Sequence, residues 1–177
     1  MNNREKVILI GSFFFLIVLV GFLLVLQKGT FLPKEQTVNL YFSAYKKGVF
    51  YLQPVSRQIK TRRKLPLEET LEMLFAGPTP EEKLQELSSN TPPTVKLLGL
   101  QVKDNIAYLD FSEEIESGGG TSSMEGRLRE IVYTATQFPE IKKVRFLIKG
   151  KEVKVFSGEG ITEVEKPLGR EDLPIIY

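Results

Sequence analysis

LGLQVKDNIAYLDF, residues 98–111, is the stretch that decides the fold class. Leu98, Leu100 and Val102 alternate with Gly99, Gln101 and Lys103, the period-two pattern of a half-buried strand. Asp104 and Asn105 then turn the chain, and Ala107, Leu109 and Phe111 share a face on the return. A β-hairpin with one apolar face needs a second layer to cover it, so the flanking segments must supply helices or another sheet.

Both flanks supply helices. Downstream, Gly118, Gly119 and Gly120 form a loop, and Ser122 with Glu125 reads as a capping box. It opens a helix carrying Met124, Leu128, Ile131, Val132, Ala135 and Phe138 on one side, closed by Pro139. Upstream, a helix is expected to begin near Pro66, with Leu67, Leu71, Leu74 and Phe75 on one face and Gly77 and Pro78 as its stop. Thr79, Pro80 and Glu82 form a second capping box, placing Leu84 and Leu87 against the core. Farther out, Thr37–Ser43 and Val49–Val55 read as strands joined through Ala44–Gly48, with Pro54 marking an edge or a bulge. Val144, Phe146 and Ile148 alternate with Lys143, Arg145 and Lys149 as another strand, and Gly150 leads into a last one through Val153 and Val155. The order β-β-α-α-β-β-α-β-β predicts an α+β two-layer sandwich, with helices packed on one face of a mostly antiparallel sheet.

The N-terminus follows other rules. Residues 7–26, VILIGSFFFLIVLVGFLLVL, hold one polar residue, Ser12, and no charge. At ~1.5 Å per residue such a helix spans the roughly 30 Å of bilayer hydrocarbon. No A-x-A cleavage site follows Leu26, which favours a retained anchor over a cleaved signal peptide. The expected organisation is a cytoplasmic leader at 1–6, a transmembrane anchor at 7–27, a linker at 28–36, an α+β domain at 37–156, and a tail at 157–177 packing irregularly on the domain. The layout is that of a signal anchor, placing the protein in the cell membrane as a single-pass species with its C-terminal domain extracytoplasmic.

Composition removes much chemistry. The chain lacks cysteine and histidine, and its 24 lysines and arginines against 22 acidic residues leave a net charge of +2. Thiolate nucleophiles, disulfides, the usual zinc ligands and the side chain best suited to proton transfer near neutral pH are excluded, and there is no general cationic field for nucleic acid. Asp110, Glu113, Glu114 and Glu116 are the densest acidic group. They read as solvated charges where a strand leaves the core, the competing readings being a glycan-cleaving acid and base or a calcium site. Lys60, Arg62, Arg63 and Lys64, with Arg57 nearby, could meet lipid phosphates or an anionic wall polymer. Neither Gly158–Gly160 nor Gly118–Gly120 completes a nucleotide-binding pattern. No catalytic, cofactor-binding or metal residues are assigned.

Taken in order, Val38–Phe42, Leu71–Pro80 (LEMLFAGPTP), Tyr108–Ser112, Ile131–Phe138 (IVYTATQF) and Lys143–Lys151 resemble the GerMN domain, a module associated with sporulation and germination. The resemblance implies a ring-building-motif-like fold and a noncatalytic envelope protein, with no enzyme activity and no cofactor. Its implied partners are other envelope proteins or further copies of itself, in sporulation, germination or cell-wall processes. A peptidoglycan-binding or wall-regulating role, at the extreme a carboxylate-based hydrolase, is the alternative.

Overall fold

The computed structural model describes residues 2, 13, 15, 16, 19, 20, 33–46, 49–156 and 162–174. The chain divides into two compact units, Met1–Lys34 and Glu35–Tyr177. In the first, Phe13, Phe15, Leu16, Leu19 and Val20 are helical and 41–68% exposed. Most of the expected anchor at 7–27 lies outside the described residues, and among the described residues no helix is long and apolar enough to cross a membrane.

The second unit is α+β, and its strands divide between sheets. Strands β1 (Lys34–Lys46) and β2 (Val49–Thr61) are neighbours in a three-stranded sheet of order β2-β1-β3, with β3 at Leu87–Ser88. Strands linked by so short a connection run antiparallel. Side-chain bonds from Gln58 to Thr37 and from Ser56 to Asn39 step along the two strands in opposite directions, as that arrangement requires. Pro54 lies on β2, the outermost strand, where a missing N–H costs no ladder bond.

The second sheet has the order β4-β5-β6-β7, from β4 (Leu97–Lys103), β5 (Ile106–Phe111), β6 (Lys143–Ile148) and β7 (Lys151–Glu152). The β4–β5 hairpin turns through Asp104 and Asn105 at φ 52° and 61°, the left-handed pair that a two-residue turn needs. The expected alternation slips at its start. Register shifts between Leu97 and Gly99, which leaves Leu98 51% exposed. The pairing is mostly antiparallel, as expected, with one exception: β5 and β6 are parallel, from Ile106↔Lys143 to Phe111↔Ile148. Period-two patterns do not encode strand direction. The crossover helix between these two strands is what makes parallel pairing possible.

Helix α1 (Leu67–Phe75) buries Leu67, Leu71, Leu74 and Phe75 as expected and ends before Gly77, whose φ of 78° favours a residue without Cβ. Helix α2 (Pro80–Lys83) has the predicted capping box, with Thr79 Oγ1 accepting from the Glu82 N–H and the Glu82 carboxylate accepting from the Thr79 N–H. It is only one turn long, so Leu84 falls outside it and is 86% exposed while Leu87 is buried in β3. Helix α3 (Thr121–Ala135) begins at Gly120 with no side-chain cap. Glu125 pairs with Arg129 one turn on, in place of closing a box with Ser122.

The core runs through one line of rings: Phe75 of α1, Phe111 of β5, Phe146 of β6 and Phe156 of β8 (Val155–Phe156), with successive centroids 5.6–6.1 Å apart. The tail, expected to be irregular, is ordered by backbone pairing. Strand β9 (Thr162–Glu163) pairs with β8, and Val144 and Leu168 exchange two 2.8 Å backbone bonds. Arg170 then sits over the rings of Tyr41 and Tyr133 while donating to the Tyr133 carbonyl and the Thr136 hydroxyl. Arg145, placed by its alternation on the solvent side, is buried because this tail covers it. Its guanidinium donates to the Val164 and Glu165 carbonyls and pairs with Glu152.

A fully buried carboxylate ties these elements together. Glu130 on α3 accepts from Ser43 Oγ of β1 at 2.6 Å, from the Asn90 N–H at 2.8 Å, from the Thr91 N–H at 3.2 Å, and from the hydroxyls of Ser89 and Thr91 at 3.0 and 3.1 Å. Arg127, one turn earlier and equally buried, donates to the Asn90, Ile115, Ser117 and Gly118 carbonyls. Glu130→Gln places a donor among donors and is expected to cost about 2–4 kcal/mol in urea unfolding. Gly126→Ala should also destabilise, by about 1–3 kcal/mol, although alanine is the better helix former. Its Cβ would lie 2.8 Å from Asn90 Cγ and push that side chain off Ser43 and Glu130.

Candidate functional site

The acidic group does not converge. Asp110 accepts from the Gly150 N–H at 2.8 Å, Glu113 pairs with Lys149 at 2.8 Å, and Glu116 is half-buried at the end of the 3-10 turn Glu113–Glu116. The exposed Glu114 has its pKa lowered by the Ser112 hydroxyl and by its own N–H at the start of that turn. A shallow depression of about 450 Å³ beside Glu113 and Glu116 carries Lys149, Lys151 and Lys154 as well. These carboxylates fix a turn and a strand end. Among the described residues, no group of three or more acidic side chains is placed to hold a metal.

The basic run separates into two kinds of residue. Arg57 is fixed to Glu82 at 2.6 Å, and Arg63 pairs with Glu68 and Glu69 of the first turn of α1. The Thr61 hydroxyl accepts from the Arg63 N–H at 3.0 Å and donates to Glu69 at 3.1 Å. Lys60, Arg62 and Lys64 are exposed and have no partner among the described residues.

Sequence reading missed the polar groups that matter most to the architecture. Arg127 and Glu130 do not enter the reading of the apolar stripe. Their signal was spacing: 127, 130 and 134 run at helical intervals alongside the apolar stripe, where a solvated face is not expected. Thr134 and Gln137, within IVYTATQF, also have a structural task. β3 pairs only with Ser43 and Ala44, so the earlier part of β1 needs another partner. The Gln137 amide bonds both the N–H and the carbonyl of Asn39 at 2.8 Å, and the Thr134 hydroxyl accepts from the Tyr41 N–H at 3.1 Å.

This geometry is shared. Tandem GerMN domains of the sporulation protein GerM from Bacillus subtilis superpose with a TM-score of 0.61 at 23% identity, covering 78% of this chain and 47% of that one. A putative lipoprotein from Clostridium perfringens gives 0.56 at 26% identity, covering 79% and 91%. The fold is therefore that of a GerMN-type α+β domain. Residues 39–154 match the family model Germane, described as sporulation and spore germination, and the chain belongs to that family. Spore germination protein GerM of Bacillus subtilis (strain 168) is 29% identical over 142 residues, covering 77% of this chain and 38% of that protein.

The Arg57–Glu82 pair sets a pH dependence. The Arg57 guanidinium, and behind it the Thr79 N–H, hold the Glu82 carboxyl below the usual carboxylate range. A depressed folded-state value stabilises the domain above the unfolded pKa of about 4.3, and that increment disappears as pH falls through the folded value. Glu82→Gln is expected to lose about 1 kcal/mol at neutral pH by chemical unfolding, with the gap from the parent closing in acid.

Proposed function

We propose that this protein is a non-enzymatic, membrane-anchored envelope module that assembles with further copies of itself in sporulation or germination. The carrying observation is the outer face of the four-stranded sheet. Three cross-strand rows lie on it: Lys103–Ile106–Lys143, Gln101–Tyr108–Arg145, and Gly99–Asp110–Leu147–Glu152. Ile106, Tyr108 and Leu147 are half-buried on it and Gln101 and Lys103 are exposed at its β4 side, while on β6 the tail covers Arg145 and pairs Lys143 with Glu171 and Asp172. A second copy turned by a two-fold axis would set Lys103 of one copy toward Asp110 of the other and cover the apolar residues on the β4–β5 side of the face. Kinship with a sporulation and germination family supports the process, and the apolar run 7–27 with its exposed helical Phe13, Phe15 and Leu16 supports the anchor.

Crosslinking of the full-length chain in its native membrane tests the reading. A homo-oligomer of defined size is expected, weakened about tenfold by Gln101→Glu with Lys103→Glu, since like charges would then face across the interface. A strict monomer, or an oligomer indifferent to these changes, overturns assembly through this face.

A further inference from the structure

The basic run at the end of β2 is built so that alternate residues do different work. Thr61 and Arg63 are fixed to Glu69 and Glu68 at the start of α1, as described above, which clasps the loop to the helix. Lys60 shares the outward face of Ser56 and Gln58 on β2, and Arg62 and Lys64, just past the end of the strand, are exposed as well. Every other described arginine is engaged: Arg57 by Glu82, Arg63 by the α1 carboxylates, Arg127 by loop carbonyls, Arg129 by Glu125, Arg145 by Glu152, and Arg170 by two tyrosines. Arg62 alone among the described arginines has no partner.

We propose that Lys60, Arg62 and Lys64 form a docking edge for the anionic phosphate headgroups of the bilayer that holds residues 7–27. This rests on the membrane anchor proposed above. β1 begins at Lys34 and β2 returns antiparallel to end at Thr61, so the basic edge lies at the end of the hairpin where the chain enters the domain. Residues 27–33, fully extended, reach no farther than about 25 Å. A headgroup layer is thus within covalent reach of this edge. Lys34 adds a further exposed cation there; of the carboxylates nearby, Glu35 and Glu72 are exposed, while Glu68 and Glu69 are occupied by Arg63. The Arg62 fork suits bidentate phosphate contact, and the two lysines add point charges on either side. Each cation near an anionic surface contributes about fivefold, and the attraction fades over about 10 Å at 0.1 M salt.

The full chain has no cysteine, so Gln58→Cys gives a single labelling position on the same face. The labelled protein is reconstituted into vesicles of phosphatidylcholine alone or mixed with phosphatidylglycerol, and quenching by headgroup-attached quenchers reports docked against undocked domain. Docking is expected in the phosphatidylglycerol vesicles, falling with salt. It should drop about fivefold in Arg62→Gln and on the order of 100-fold when Lys60→Gln and Lys64→Gln are added. Thermal melts of the variants should match the parent, since none of the three side chains makes an internal bond. Equal quenching in both vesicle types, or docking unchanged in the triple variant, overturns the proposal while flotation of the protein with the vesicles leaves the anchor intact. Failure to float overturns the anchor and the proposal with it. If soluble polyglycerol phosphate binds the same residues and abolishes docking, a wall polymer is the ligand and the lipid assignment is wrong.

Discussion

The domain is organised around one buried negative charge. Glu130 is removed from water, which would be prohibitive for a lone carboxylate, and is made tolerable by donors from two segments: a hydroxyl of β1, and the backbone and side chains of the Ser89–Thr91 loop. Asn90 is the shared member. Its N–H and amide serve Glu130 while its carbonyl receives Arg127, whose burial pushes the guanidinium pKa down against the opposing pull of Glu130. Because Arg127 also holds the carbonyls at 115, 117 and 118, the one network fixes the loop before β4, the glycine turn before α3, and the β1 strand. Gly126 is glycine because Asn90 occupies the space its side chain would need.

From that centre outward, polar side chains are committed to architecture. Thr134 and Gln137 complete the backbone bonding of β1, Arg170 fastens the tail to two tyrosines, and Arg145 holds the carbonyls of the covering segment. Asp110 and Glu113 secure the strand-end turns. Among the described arginines the exception is Arg62, exposed with Lys60 and Lys64 at the end of β2.

Much of the fold was legible because apolar period announces which face is buried. The apolar stripes of α1 and α3 and the alternation of β4, β5 and β6 translate directly into the ring-lined core, and the Thr79 box and the Asp104–Asn105 turn are local chemistry that tertiary packing leaves alone. What failed was non-local. Leu84 looked like a core residue only on the assumption that α2 continued beyond one turn. The parallel β5–β6 pairing depends on how a helix crosses over, which no residue spells out. Arg145 looked solvated until the tail covered it. Glu130 and Arg127 carried a spacing signal, but their partners arrive from a loop some 40 residues upstream. In the basic run the cluster was visible, whereas its division into clasping and outward-facing residues depended on the carboxylates of α1.

The Gln137–Asn39 contact has a consequence in time. Its partners are 98 residues apart, and the donors and acceptors of β1 that they satisfy are synthesised well before α3. Until α3 has been made and has docked, that stretch of β1 is an open template able to accept any extended chain. The nascent hairpin must therefore wait, unprotected, for the helix that will close it. Crowding by neighbouring chains is most hazardous during that interval, before the domain is complete.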